Sequence, residues 1–293
     1  MSLFITGSEA FIGGNLIRVC QTKGMAVTGV DAIAPTRPGF KQADICDPAV
    51  ADLIPEGATV VHLAAISRDP DCRADPIRAF KVNVEGTLNL AAAARKRGAK
   101  QFIFASSEWV YGDVRNDETQ VESQPIDLTG MKSEYAISKL TAEQLLKLGM
   151  TEAMPITVLR FGIVYGPRDN NWSAVESLVN NVYRGNEIKV GSAKTARRFI
   201  HVDDIVSGIL AAQDQKGFTI YNLSGDTLVS LGDVVNTAAN VSGKAANFQE
   251  TNPANISIRN PDNAKIKAAL PWKQTIHIED GVKTLIAHFS GKK

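Results

Sequence analysis

The sequence predicts an α/β protein, a doubly wound parallel sheet with a smaller C-terminal lobe, on three observations. Short β-rich runs alternate with longer helical patterns through the first half, and those runs are nearly continuously apolar. After Gly166-Pro167 the elements shorten, and Asn, Gly and scattered Arg become more frequent. In chain order, Leu3–Thr6 reads as the first strand and Phe11 to Lys23 as a helix. Ala26–Asp31 and Thr59–Leu63 read as the next strands. An Ala-rich helix from Pro76 to Arg97 closes on Gly98 as its C-cap. Gln101–Ala105 is the next strand, a helix runs from Ser133 to Leu148, and the strand Ile156–Arg160 follows Pro155.

The division expected is a nucleotide-type domain over 1–165, to which the chain returns around 199–225, and a smaller lobe over 166–293. With 293 residues, 44% hydrophobic and 22% charged, the chain is long enough to bury a sizeable core. Lys and Arg number 32 against 31 Asp and Glu, so no net field draws nucleic acid or an anionic membrane. The three cysteines, Cys20, Cys46 and Cys72, fit no metal or redox spacing and read as unpaired thiols; no metal is expected. The N-terminus enters a strand at once, with no basic and apolar leader and no apolar span long enough for a bilayer. A cytoplasmic protein is expected.

The turn after the first strand reads Thr6-Gly7-Ser8-Glu9-Ala10-Phe11-Ile12-Gly13. In a Rossmann-type fold its first glycine permits the tight turn and its last permits close packing of helix on strand. The helix start then offers backbone N–H groups to a pyrophosphate. Ala10 stands where a glycine is usual, and its methyl would crowd that phosphate. Asp31 ends the second strand at the distance expected for a carboxylate that accepts hydrogen bonds from an adenosine ribose. An acid there repels a 2′-phosphate, so NAD is favoured over NADP, while nearby Arg37 keeps NADP open.

Tyr135-Ala136-Ile137-Ser138-Lys139 places a phenol and an ammonium one helical turn apart on one face. A free phenol, with a pKa of about 10, is a poor base at neutral pH. A cation about 4 Å away contributes roughly 4 kcal/mol at an effective dielectric of about 20, or about three pKa units. Partial burial opposes that shift and a positive nicotinamide ring would add to it. The expectation is a base poised near neutrality. Tyr-x-x-x-Lys also occurs by chance as a surface pair on amphipathic helices, so the spacing needs company.

That company is present. The Gly-rich turn, Asp44-Ile45, His62-Leu63-Ala64-Ala65, Asn83-Val84-Glu85-Gly86-Thr87 and Ser106-Ser107-Glu108-Trp109-Val110-Tyr111-Gly112 precede Tyr135 to Lys139. Leu159-Arg160 through Tyr165-Gly166-Pro167, Arg197-Arg198-Phe199-Ile200-His201-Val202-Asp203-Asp204 and Tyr221-Asn222-Leu223-Ser224 follow it. In that order they resemble the extended short-chain dehydrogenase/reductase family, particularly its nucleotide-sugar epimerases and dehydratases.

The resemblance implies an NAD-dependent enzyme with Ser107, Tyr135 and Lys139 as its catalytic set. Gly7, Ala10, Phe11, Ile12 and Gly13 would form the cofactor turn, and Asp44 and Ile45 would touch adenine. Leu63, Ala64, Ala65, Asn83 and Ser106 would line the cofactor, and Lys139 would also hold the nicotinamide ribose. Ser107, Glu108, Tyr135 and Arg197 would contact a nucleoside-diphosphate sugar, Arg197 at its diphosphate. His201 reads as structural, and Asp203 and Asp204 as caps of the following helix. Arg259 matches a second phosphate ligand poorly in spacing and reads as a surface arginine. The family often forms homodimers, here through helices around 85–97 and 133–148. The Ala run 91–94 suits such packing, though burial against its own sheet would explain it equally.

Three departures bear on the reaction. Dehydratases and decarboxylases of the family usually carry a glutamate just before Val-Tyr-Gly, where this chain has Trp109. Glu108 comes one residue earlier and, on a strand-like segment, would face the opposite side. This favours epimerisation, most simply at C4 of a UDP-sugar. Ile163 replaces a common Asn, and the stretch Gly191 to Ala196 lacks the usual glycine spacing; both bear on which sugar binds. The competing readings are a sugar-ketone reductase or dehydrogenase with exchangeable cofactor, a dehydratase, and a non-catalytic NAD-sensing protein.

Overall fold

The first strand, β1 (Ser2–Thr6), is buried along Leu3 to Thr6 and begins a seven-stranded sheet. The others are β2 (Ala26–Asp31), β3 (Phe40–Gln42), β4 (Thr59–His62), β5 (Gln101–Ser107), β6 (Ile156–Phe161) and β7 (Phe218–Leu223). Their spatial order is β7-β6-β5-β4-β1-β2-β3, and the pairings from β3 through β5 are parallel. The order reverses between β1 and β4, which is where ligands bind in such sheets, outside the carboxyl ends of the strands. The computed structural model describes residues 2–114, 118–150, 154–170 and 172–291.

The chain divides into two units, one of residues 1–112, 125–160 and 206–221, the other of 113–124, 161–205 and 222–293. In the first, Phe4, Val60, Phe102, Phe104 and Val158 of the sheet pack with Leu90, Ala91, Ala94 and Leu146 of the helices. Ala91, Ala93 and Ala94 of the Ala run are thus buried in this unit's own core. In the second, helices α6 (Ala174–Arg184), α8 (Leu231–Ser242) and α10 (Ile278–Phe289) pack together around Val179, Val182, Val235 and Leu285. Between α6 and α8 in the chain, α7 (Val202–Ala211) follows the short strand Ile200–His201.

Three local expectations are corrected. The Ala-rich stretch is not one uniform helix: α3 (Pro76–Phe80) passes through a π-helical segment, Lys81–Gly86, into α4 (Thr87–Lys96). A Cβ on Gly86 would lie 2.9 Å from the Ile45 side chain, so the widened turn fits against its neighbour only with glycine there. Residues Glu108–Tyr111 form a 3-10 turn rather than strand. Asp203 and Asp204 lie inside the first turn of α7, with the His201 ring accepting from the Asp203 N–H at 3.3 Å. The Asp204 carboxylate instead receives the N–H groups of Thr275 and Ile276 and the Thr275 hydroxyl, holding a C-terminal loop. All three cysteines are free thiols, and no helix among the described residues is long and apolar enough to cross a membrane.

Candidate active site

The turn after β1 is shaped by two glycines. Gly7 has φ +73°, and a Cβ there would lie 3.0 Å from the Ala64 nitrogen at the end of β4. A Cβ on Gly13 would lie 2.0 Å from the Gly7 carbonyl, so glycine is what lets α1 (Phe11–Thr22) start so close to the strand. Ala10 precedes the helix at φ −74° and ψ 166°, a conformation open to any residue, and no side chain caps the helix. First-turn N–H groups without a side-chain cap suit an anion.

A cavity of about 560 Å³ opens in this unit at the ends of β1, β2 and β4. Gly7, Ala10, Asp31, Asp44, Ile45 and the run Leu63 to Ala65 line it. Phe11, Ile12 and Gly13 follow it in the first turn of α1. The Asp31 carboxylate accepts from the Glu9 N–H at 2.9 Å and the Ile33 N–H at 3.3 Å. Each oxygen keeps a lone pair for a sugar hydroxyl. An extended crevice with an uncapped helix at one wall and a carboxylate at another fits a dinucleotide.

The structure gives Asn83 and Ser106 other tasks. Asn83, buried in the π-helical segment, exchanges hydrogen bonds with the Ile66 backbone at 2.8 and 3.0 Å and donates to Ser138 Oγ at 3.0 Å. Ser138 Oγ in turn donates to the Tyr135 carbonyl at 2.8 Å. One amide therefore fixes the cavity wall against the helix that carries the phenol. Ser106 Oγ is spent on the Glu143 carboxylate.

Tyr135 and Lys139 lie on α5 (Glu134–Met150). The start of α5 is anchored by Ser133, whose Oγ accepts from the Ala136 N–H and donates to Asp69 at 2.5 Å. Arg73 adds a bond to the Lys132 carbonyl at 3.1 Å. Ser107 neighbours the Tyr135 phenol and favours its ionisation, and the Trp109 ring meets the Tyr135 ring edge-on at 6.4 Å. Ser107 Oγ accepts from the Trp109 N–H at 3.2 Å, so the 3-10 turn orients both groups. Glu108 in that turn is fully buried.

Lys139 Nζ donates to the Ala105 carbonyl at 2.8 Å and sits 4.7 Å from the Phe104 ring centre. Burial lowers its pKa to about 8, against the pull of Glu143 and Cys72. The phenol is not near neutrality. With only the chain's own groups acting on it, burial pushes it up to about 12, Ser107 opposes, and Cys72 adds to the rise. The physical reason is that the buried ammonium is aimed at a carbonyl, so desolvation outweighs its attraction.

Behind Lys139, one turn along the same helix face, Glu143 forms a two-pronged pair with Arg160 at 2.7 and 3.1 Å. The two side chains are 0% and 2% exposed. His62, also fully buried, joins Thr6 at 2.8 Å and Thr87 at 2.9 Å, and its pKa is driven well below the ordinary value by burial and by Lys139. The spacing Tyr135, Lys139, Glu143 was visible in the sequence; the pairing of Glu143 with Arg160 needed the fold.

In the second unit, Arg197 donates to the carbonyls of Ala196 and Ser257, both at 2.7 Å, and to Ser257 Oγ at 2.6 Å. Arg259 is not a surface residue: it is 7% exposed, with Nε 3.3 Å from Asp113. The cause is backbone pairing, since Ala196 exchanges hydrogen bonds with Ser257 and Arg259 and so sets the two arginines side by side. Arg197 lies 4.0 Å from the same Asp113 carboxylate, which accepts from Ser257 Oγ at 2.7 Å.

Comparison with known proteins adds to this geometry. The chain is 29% identical to the UDP-N-acetyl-alpha-D-glucosaminuronate decarboxylase of Bacillus cytotoxicus, over 97% of this chain and 96% of that protein. It is 26% identical to the UDP-glucuronate 4-epimerase of Thermodesulfobacterium geofontis, over 96% and 94%. The UDP-glucose 4-epimerase of Thermus thermophilus, solved with NAD, matches with a TM-score of 0.87 and 25% identity, covering 100% of both chains. The family profile matches residues 3–224, and the chain belongs to the NAD dependent epimerase/dehydratase family.

Proposed function

We propose that the chain is an NAD-dependent epimerase of a nucleoside-diphosphate sugar, acting at C4 of a UDP-sugar. The observation that carries this is the Tyr135 phenol beside Ser107, with the Trp109 ring packed edge-on against it. That arrangement supplies one proton-transfer group and one orienting hydroxyl. An indole occupies the position where dehydratases and decarboxylases carry an acid.

The cofactor cavity would hold NAD through Gly7, the first turn of α1 and Asp31. When bound, NAD supplies a reversible hydride acceptor. Tyr135 takes the proton of the reacting hydroxyl and returns it to the inverted alcohol, so no net proton is consumed. Ser107 holds that hydroxyl against the phenol and opposes the rise in its pKa, and the positive nicotinamide ring of bound NAD would favour the phenolate further. Arg197 grips the substrate diphosphate. The protein works as a homodimer, for which α5 offers Leu145 and Leu148, 38% and 83% exposed.

The test is product analysis by NMR after incubating purified protein with UDP-glucose or UDP-glucuronate. A 4-epimer with no accumulation of NADH is the expected result. Release of carbon dioxide from the glucuronate, or loss of water from the sugar, would replace epimerisation with decarboxylation or dehydration. Since relatives of similar identity include a decarboxylase, the glucuronate arm is the deciding one.

A further inference from the structure

At the adenosine end of the cavity the structure holds a charge cluster that the proposed chemistry does not use. Glu9, in the turn after β1, donates its N–H to Asp31 Oδ2 at 2.9 Å. Its own carboxylate is 7% exposed and fully engaged. One oxygen pairs with Arg37 Nη1 at 2.8 Å; the other accepts from the Thr36 N–H at 3.2 Å and the Thr36 hydroxyl at 2.7 Å. Arg37 Nη1 also donates to the Ser8 carbonyl at 3.3 Å, and its Nη2 lies 3.1 Å from where a Cβ on Gly14 would stand. The guanidinium therefore lies against the turn and the start of α1.

We propose that Glu9 is a cofactor-specificity residue: it keeps Arg37 in an ion pair and so withholds that guanidinium from a 2′-phosphate. This rests on the NAD reading and says which residues enforce it. A 2′-phosphate beside Asp31 would bring close to two negative charges next to a carboxylate, and would require a cation to offset them. Arg37 is the right group, a planar fork suited to phosphate, but Glu9 neutralises it. Asp31, Glu9 and Arg37 together carry a charge of about −1 at neutral pH. Burial works against a charged Glu9, yet the Thr36 hydrogen bonds and the Arg37 charge hold its carboxyl below the usual glutamate value, so the pair stays ionised. Without the Glu9 charge the cluster would be neutral and its guanidinium able to turn toward a phosphate.

The experiment is calorimetric titration of the purified protein with NAD and with NADP. The variants are Glu9→Gln, Arg37→Ala and the double variant Glu9→Gln/Arg37→Ala. Glu9→Gln keeps an acceptor for Thr36 and should tighten NADP binding by about tenfold while changing NAD binding by less than about threefold. Arg37→Ala alone should bring no gain for NADP, and the double variant should lose the gain of Glu9→Gln. An NADP/NAD ratio in Glu9→Gln equal to wild type overturns the proposal. So does a gain that survives in the double variant, because the Glu9 charge would then act without Arg37. Loss of both dinucleotides in Glu9→Gln at an unchanged melting temperature also overturns it. Wild-type protein that binds neither dinucleotide would instead remove the NAD reading itself.

Discussion

The Lys139 ammonium stands 5.9 Å from the centre of the Tyr135 ring, its proton directed at the Ala105 carbonyl 2.8 Å away. Burial then pushes both groups toward their neutral forms, the ammonium down to about 8 and the phenol up to about 12. Stability should record this. Between pH 8 and 10.5 the unfolded chain keeps the lysine proton that the folded chain has lost, so stability rises with pH across that window. Between pH 10 and 12 the unfolded phenol is ionised and the folded one is not, so stability falls. Lys139→Met should remove the first slope and gain about 3 kcal/mol relative to wild type at pH 7, an advantage gone above pH 10.5. Urea unfolding at a series of pH values checks it; a constant difference between the two proteins would contradict it.

Tyr135→Phe keeps the ring that meets Trp109 and deletes only the phenolic oxygen beside Ser107. Turnover should fall by about 10² to 10⁴, the range of a lost acid–base group, with NAD affinity changed little. Rates measured beside dinucleotide titration separate the two effects. An active Tyr135→Phe would remove the phenol from the chemistry.

Glu143 and Arg160 form a buried pair whose members cannot be changed singly at low cost. Glu143→Gln should lose about 3 to 5 kcal/mol, because it strands a buried guanidinium. Glu143→Leu with Arg160→Met should recover most of that loss, since two apolar groups leave no charge unpaired. Denaturant midpoints for the single and double variants test this directly. The single variant also removes the charge that favours protonated Lys139, so its lysine should titrate lower still.

The features legible in the sequence are those set by local pattern. Apolar runs marked the strands from Leu3 to Arg160, and Gly7 and Gly13 marked the turn because a Cβ at either would strike backbone. Tyr135 and Lys139 were placed on one helix by spacing alone. What depended on tertiary packing was not legible. The π-helical segment at Lys81–Gly86 lies against Ile45 and Cys46, far along the chain, and Gly86 leaves no room there for a side chain. Arg259 has no apolar neighbour pattern to mark it as buried; its place follows from pairing beside Ala196. The Tyr135 pKa turns on where a lysine side chain points, which spacing does not encode.

The arginines of the second unit give the last prediction. Arg197 and Arg259 are 9% and 7% exposed, and share the half-exposed carboxylate of Asp113 at 4.0 and 3.3 Å. Two planar guanidiniums set side by side at a half-exposed carboxylate are the donors a diphosphate would need. Arg197→Ala should raise KM for the UDP-sugar by about tenfold or more and lower kcat by less, as expected for an interaction made equally in ground and transition states. Asp113→Asn should act in the opposite sense, tightening UDP binding, because it removes the internal anion that competes with the phosphates. It should also lower the melting temperature, since Ser257 and both arginines lose a charged partner. UDP titrations and steady-state kinetics on the two variants decide the matter. If Arg197→Ala leaves KM unchanged, the cluster holds only its own unit together and the diphosphate is bound elsewhere.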